Sequence, residues 1–307
     1  MNCNICPRQC KYSDKEGSTG FCGISIQRDE NLVGASNGIR EIKLARAALH
    51  FYEEPCISGT NGSGAVFFSG CNLRCVFCQN HNIANCSVGK AVSLERLADI
   101  FLELQEKEAH NINLVTPSHY AYQIIDAIKL AREKGLSIPV VYNTSAYDSV
   151  EALKALEGYV DVYLPDYKYA DSSLAASLSN AGDYPDKAIA AIREMIRQVG
   201  MPVVENGIIK NGVIIRHLVL PGNVRNSKAV IDRLVSEFGT DITLSIMNQY
   251  TPIEGLQLPG ELGRTVTERE YNKVLDYAFE KGLVNGFFQD GETCKESFIP
   301  AFDYEGV

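Results

Sequence analysis

Apolar residues along the chain gather in two alternating patterns. Short runs rich in β-branched and aromatic residues occupy 65–69, 112–115, 139–142, 160–164, 213–220 and 242–247. Between them, 94–108, 121–134, 150–156, 186–199 and 228–238 carry apolar residues at helical spacing. A last helix covers 268–281, and 286–289 reads as a seventh strand. Strands that alternate with helices predict parallel strands joined by crossovers. The strand cores are apolar at consecutive positions, as in Val213-Ile214-Ile215 and Leu218-Val219-Leu220, which is expected when both faces are buried. Six such units predict an α/β fold, a partial (β/α)6 TIM-like barrel. In such barrels the chemistry sits at the C-terminal ends of the strands.

The residues at those ends are polar. Cys71 follows the first strand and Thr116-Pro117-Ser118-His119 the second. Asn143-Thr144-Ser145 ends the third, Asp166 and Lys168 follow the fourth, and Asn248-Gln249 ends the sixth. Arg216 lies inside the fifth strand and joins the others only if it points into the barrel. Residues 1–60 do not follow this pattern. They hold four of the clustered cysteines, a helix expected around residues 42–51, and a Gly/Ser-rich link at 58–64. They read as a small Cys-rich metal-binding cap and linker, followed by the barrel and a C-terminal extension over 61–307.

Composition narrows the function. Hydrophobic content is 45%, charged content 22% and net charge −9, ordinary for a soluble globular protein. Without a Lys/Arg-rich block, the acidic balance argues against a nucleic-acid partner, because phosphate contacts dominate that affinity. No apolar run approaches the ~18 residues of a membrane helix. Met1-Asn2-Cys3-Asn4 does not open as a secretion signal, so the expected compartment is the cytoplasm, with no membrane partner.

The ten cysteines change the picture most. They stand at 3, 6, 10, 22, 56, 71, 75, 78, 86 and 294, and seven fall into two groups. Without a secretion signal, clustered cysteines read as metal ligands rather than disulfides. Cys71-x3-Cys75-x2-Cys78 supplies three thiolates from one short loop. A cubane cluster normally takes four, so three would leave one iron open to a substrate or cofactor; zinc sites favour a complete set of four from paired knuckles. Cys3, Cys6, Cys10 and Cys22 do form a complete set, which suits a second [4Fe-4S] cluster or a structural zinc. Cys56, Cys86 and Cys294 stand alone and read as small buried apolar residues. His81, His119 and His217 read as structural.

Cys71-x3-Cys75-x2-Cys78, with Phe77 before the last cysteine, resembles the radical S-adenosylmethionine (SAM) signature. Within that superfamily the chain is most similar to pyruvate formate-lyase activating enzymes, in particular a PflX-like branch. That branch has a Cys-rich start like Cys3-Asn4-Ile5-Cys6-Pro7-Arg8-Gln9-Cys10 and segments like His50-Phe51-Tyr52-Glu53-Glu54-Pro55 and Cys78-Gln79-Asn80. The resemblance implies that SAM chelates the open iron of a [4Fe-4S] cluster. Cleavage by one electron then gives methionine and a 5′-deoxyadenosyl radical that abstracts hydrogen from substrate. Cys71, Cys75 and Cys78 would be the catalytic cluster ligands.

The resemblance also places Phe77 and Asn80 near SAM. The family's Gly-Gly-Glu after the second strand is replaced here by Thr116-Pro117-Ser118-His119, so Thr116 or Ser118 would meet the SAM amino group. Asn143-Thr144 stands where the family has Asp-Thr, and Asp166-Tyr167-Lys168 resembles its Asp-Leu-Lys. Arg216 matches its SAM-carboxylate arginine, a role suited to the planar guanidinium. Asn248 completes the expected SAM contacts. The implied electron donor is a low-potential protein such as flavodoxin or ferredoxin, and the implied substrate a glycyl-radical protein or peptide. Two other readings are a radical SAM modification of a small metabolite or peptide and a non-catalytic iron–sulfur redox protein. Polar strand ends speak against the last.

Overall fold

The computed structural model describes residues 3–11, 18–25, 42–253, 255–289 and 300–307. In chain order the elements begin with β1 (Ile42–His50), α1 (Pro55–Ser58), β2 (Ser63–Phe68), α2 (His81–Ala84), β3 (Lys90–Val92), α3 (Leu94–Glu106) and β4 (Ile112–Val115). After these come α4 (Ala121–Glu133), β5 (Val140–Thr144), α5 (Val150–Ala155), β6 (Val162–Pro165), α6 (Ser172–Ser179) and α7 (Tyr184–Val199). The chain continues through β7 (Val203–Glu205), β8 (Ile208–Leu218), α8 (Val224–Phe238), β9 (Thr243–Met247), α9 (Glu268–Glu280) and β10 (Gly286–Phe288).

One sheet runs β10-β9-β8-β6-β5-β4-β2-β1-β3, with β7 a short antiparallel partner of β8. The strands from β2 through β10 on this path pair in parallel. β3 and β10 end the order, so among the described residues the barrel is partial and does not close, as the alternation of patterns predicts. The expected helices appear where the local chemistry favours them. Ser93 and Ser149 cap α3 and α5, and Thr267 with Glu270 forms a capping box on α9, each supplying acceptors to otherwise unpaired N–H groups. α7 starts at Tyr184, two residues earlier than the apolar spacing alone suggests, with Pro185 in its first turn.

The helix expected over 42–51 is a strand instead. Ala, Leu and Arg favour helix locally, but β1 pairs antiparallel with β2 on one side and β3 on the other. The C-terminal segment adds to it: Ala47 N–H donates to Glu305 O at 2.8 Å and Tyr304 N–H to Ala45 O at 3.1 Å. Arg46 pairs with Asp303 and Glu305. These partners outweigh the few tenths of a kcal/mol per residue that propensity offers. The sheet therefore draws on residues before the Gly/Ser-rich link, and the division of the chain at residue 60 remains a proposal.

Buried His217 locks the barrel above the fourth crossover. One ring nitrogen meets Tyr167 O at 2.8 Å and the other Ser227 Oγ at 2.9 Å. Burial pulls its pKa down to about 4, so it folds neutral. A depressed pKa gives stability that is fully present above the unfolded value of 6.5 and is lost as pH falls through about 4. We expect His217→Gln to flatten the fall in unfolding free energy between pH 6.5 and 4 by up to about 3 kcal/mol. Denaturant melts at several pH values check this; parallel curves for the two proteins would contradict it.

Among the described residues no helix is long and apolar enough to cross a membrane.

Candidate active site

Period-two alternation decides which strand residues face the barrel interior. Phe67 of β2, Val115 of β4, Asn143 of β5, Arg216 and Leu218 of β8, and Met247 of β9 all line one cavity of about 250 Å³ at the C-terminal mouth. Thr116, Thr144, Asp166 and Lys168 join them from the strand ends. Cys71, Cys75, Phe77, Cys78 and Asn80 join from the loop after β2. Most residues singled out by sequence thus meet in one place. Ser118 and Asn248 do not reach the wall. Ser118 is buried beneath it, 3.1 Å from Thr144 Oγ1; Thr144 in turn donates to Asp148 at 2.6 Å. Asn248 lies between inward Met247 and Gln249, so its side chain faces the other way and its N–H donates to Gln289 at 2.7 Å.

The cysteine loop is held from several sides. Arg8 Nε donates to Asn72 O at 2.6 Å, and Asn72 Nδ2 donates to Tyr147 O at 2.7 Å. Val76 N–H donates to Leu178 O, and Ser179 Oγ to Cys75 Sγ, both at 2.9 Å. Burial raises the pKa of Cys75, and that of Cys78 up to about 12, and each feels the neighbouring thiols of the loop. Crowded thiols of this kind ionise when a cationic metal centre takes them. Among the described residues no three Cys, His, Asp or Glu side chains are gathered tightly enough for a single metal ion. A cubane asks for a wider spread, because each iron takes its own thiolate. Three thiols on one cavity wall, Cys71 buried and Cys75 and Cys78 half-buried, fit that donor set.

Beside the cysteines stands a charged network. Arg216 Nε donates to Asp166 Oδ1 and its Nη1 to Glu53 Oε2, each at 2.9 Å; its Nη2 donates to Asn143 Oδ1. Lys168 Nζ donates to the other oxygen of Asp166 at 2.6 Å. Burial alone would raise the Asp166 pKa, but Arg216 and Lys168 outweigh it and hold the carboxyl below the usual range. Burial would likewise lower that of Arg216, and Asp166, Glu53 and Glu54 more than offset it. Both groups are therefore charged at neutral pH. The guanidinium spends three N–H groups here and keeps two of its five for a ligand.

Glu53 was not singled out by sequence. It sits between β1 and α1, outside the strand-end pattern, yet it also accepts from Asn113 and Asn143 at 3.0 Å. A Glu-Glu-Pro run just ahead of the first parallel strand was the available signal. Thr116 is a second feature invisible to patterning. Its φ of 59° is rare for a β-branched residue, and the strain falls on the cavity wall, as strained backbone often does at functional sites.

The N-terminal cysteines also come together. Cys3, Cys6, Cys10 and Cys22 line an enclosed space with Asn72 and His119. Burial pushes the pKa of Cys6 and of Cys22 up to about 12, and the neighbouring thiols add to it. Cys56 and Cys86 are free thiols, Cys56 buried; Cys294 lies outside the described residues.

Comparison with known proteins agrees with this geometry. An uncharacterised protein of Methanocaldococcus jannaschii is 27% identical over 291 residues, 92% of this chain and 75% of that one. The pyruvate formate-lyase-activating enzyme of Clostridium pasteurianum is 24% identical over 185 residues, 59% of this chain and 71% of the enzyme. The structure of native anSMEcpe with bound AdoMet superposes with a TM-score of 0.51 at 16% identity, over 69% of this chain; the chain spans 57% of that structure's length. That likeness concerns the fold. The family model of the radical SAM superfamily matches residues 65–234, the stretch that carries the three-cysteine loop and the strand-end residues through Arg216. On that match, the chain belongs to the radical SAM superfamily.

Proposed function

We propose that the protein is a radical SAM enzyme that abstracts hydrogen from a glycyl-radical partner protein or peptide. The observation that carries the enzymatic reading is the single cavity shared by Cys71, Cys75, Cys78 and the Arg216–Asp166–Lys168 network. When bound, a [4Fe-4S] cluster and SAM supply one-electron cleavage of SAM and a 5′-deoxyadenosyl radical for that abstraction. Cys71, Cys75 and Cys78 hold the cluster. The two spare N–H groups of Arg216 bind the SAM carboxylate, and Asn143 and Asp166 fix the guanidinium plane for it. Thr116, Thr144, Lys168 and Asn80 orient the rest of the ligand, with Phe77 covering it from the loop. Flavodoxin or ferredoxin supplies the electron. The four N-terminal thiolates hold a second metal centre, iron–sulfur cluster or zinc, and their spread, too wide for a single ion, favours the cluster.

Two things support a polypeptide substrate. One is the resemblance to the activating enzyme of C. pasteurianum; the other is the strand order, in which β3 and β10 end the sheet without pairing to each other among the described residues. The test follows deuterium. Extract from cells grown on deuterated glycine is incubated anaerobically with reduced protein and SAM. Deuterium in 5′-deoxyadenosine, together with a glycyl radical signal on a protein, supports the reading. Deuterium arriving only from a low-molecular-weight metabolite overturns it in favour of a small-molecule substrate.

A further inference from the structure

A second cavity, of about 450 Å³, lies beside the first. The two share the Glu53–Arg216 ion pair, Met247 and Gln249 as a common wall. On its far side the second cavity is bounded by β9 and β10. Register places Arg216, Ser245 and Phe287 on one rung of β8, β9 and β10, and all three face it.

The other wall carries Glu54. Its side chain is buried, with 8% exposure, yet Glu54 Oε2 has no hydrogen-bond partner. An ionised carboxylate oxygen left alone at such a site is costly. The local charge count does not cover it. Among the described residues, Glu53, Glu54 and Asp166 face Arg216 and Lys168, and those two cations are already engaged by Glu53 and Asp166. One carboxyl is therefore in excess of the described cations, and burial favours its neutral form until a cation arrives; the cavity beside it is also lined by Tyr52 and Phe287. A carboxylate next to aromatic faces is the usual setting for an organic cation.

We propose that this cavity is a substrate subsite for a protonated amine, held by Glu54 and flanked by Tyr52 and Phe287. The inference rests on the radical SAM reading and deepens it by naming a chemical class of substrate. The amine is a lysine side chain of a peptide or the ammonium group of a small molecule; the chemistry at Glu54 is the same. Burial and the neighbouring Glu53 raise the Glu54 pKa, while Arg216 and Ser245 work against that. An incoming ammonium removes the tension by supplying the missing charge. Glu54 is a binding residue here and takes no part in hydrogen abstraction.

The test is anaerobic calorimetry on the reconstituted full-length protein. Titrants are n-butylammonium chloride, its uncharged isostere n-butanol, potassium chloride, and the capped peptide acetyl-Gly-Lys-Gly-amide. Saturable binding of the ammonium or of the lysine peptide, and not of butanol, is expected. The tighter of the two identifies the source of the amine. Glu54→Gln weakens that binding about tenfold to a hundredfold, the loss of one charged hydrogen bond. If Glu54→Gln does not fold, Ser245→Ala, which removes a hydroxyl hydrogen bond that helps hold Glu54 ionised, is expected to weaken ammonium binding while butanol stays unbound. Butanol binding as well as the ammonium, equal affinity in Glu54→Gln, or saturation by potassium alone overturns the proposal. SAM titrated into the same preparation reports on the superfamily reading separately. Ammonium binding without SAM binding fails only the latter, and SAM binding without ammonium binding fails only the subsite.

Discussion

Replacing Cys71, Cys75 and Cys78 together by alanine is expected to reduce 5′-deoxyadenosine formation to the no-protein background. The three thiols are the cavity's only cysteines among the described residues, and each would hold one iron, so no neighbouring group can substitute. The fold should survive. The parallel strands pack apolar residues on both faces away from the loop, with Phe68, Leu114 and Leu244 fully buried, and the loop's backbone contacts to Tyr147, Leu178 and Arg8 do not involve the thiols. Circular dichroism on the same variant separates loss of chemistry from loss of fold. A folded triple variant that makes 5′-deoxyadenosine at the wild-type rate would remove the cluster from this loop.

Arg216→Ala has the second large effect, and it strikes stability and ligand binding together. The change leaves Glu53 and Asp166 buried without the guanidinium that joins them. Removing one member of a buried ion-paired network costs about 3–5 kcal/mol, which in a chain of this size lowers the melting temperature by roughly 10 °C. SAM affinity should fall as well, by about tenfold to a hundredfold, as one charged hydrogen-bonding group is lost. Lysine does not repair the site, since it lacks the planar fork that reaches Asp166, Glu53 and Asn143 at once. Thermal melts and anaerobic SAM titration check both effects. Wild-type melting with weakened SAM binding would mean that the network is not structural. Lowered melting with intact SAM binding would make Arg216 a structural residue only.

The parallel barrel was legible because its strands are buried on both faces, and consecutive apolar residues announce that directly. Arg216 inside such a run was legible for the same reason: a charge there must face a polar interior. β1 was not. Its residues suit a helix, and its strand form depends on β2, β3 and the C-terminal segment, none of them near in sequence. Short β3 and β7 share that dependence. Glu53 escaped because its role arises from Asn113, Asn143 and Arg216, drawn from three different strands. Asn248 shows the opposite failure. A polar residue at a strand end looks functional, but alternation turns it away while Met247 and Gln249 face the cavity. Thr116 carries a backbone conformation that no residue pattern encodes.

The central claim is that Cys71, Cys75 and Cys78 hold a cluster with an iron open to SAM. It is tested most directly by electron paramagnetic resonance of the anaerobically reconstituted, reduced protein before and after SAM is added. The account predicts a reduced [4Fe-4S] signal with a component whose shape changes on SAM addition, and that SAM-responsive component is lost from the triple alanine variant, whatever signal the N-terminal centre keeps. A signal in which nothing responds to SAM, or a SAM-responsive component that persists in that variant, would contradict it.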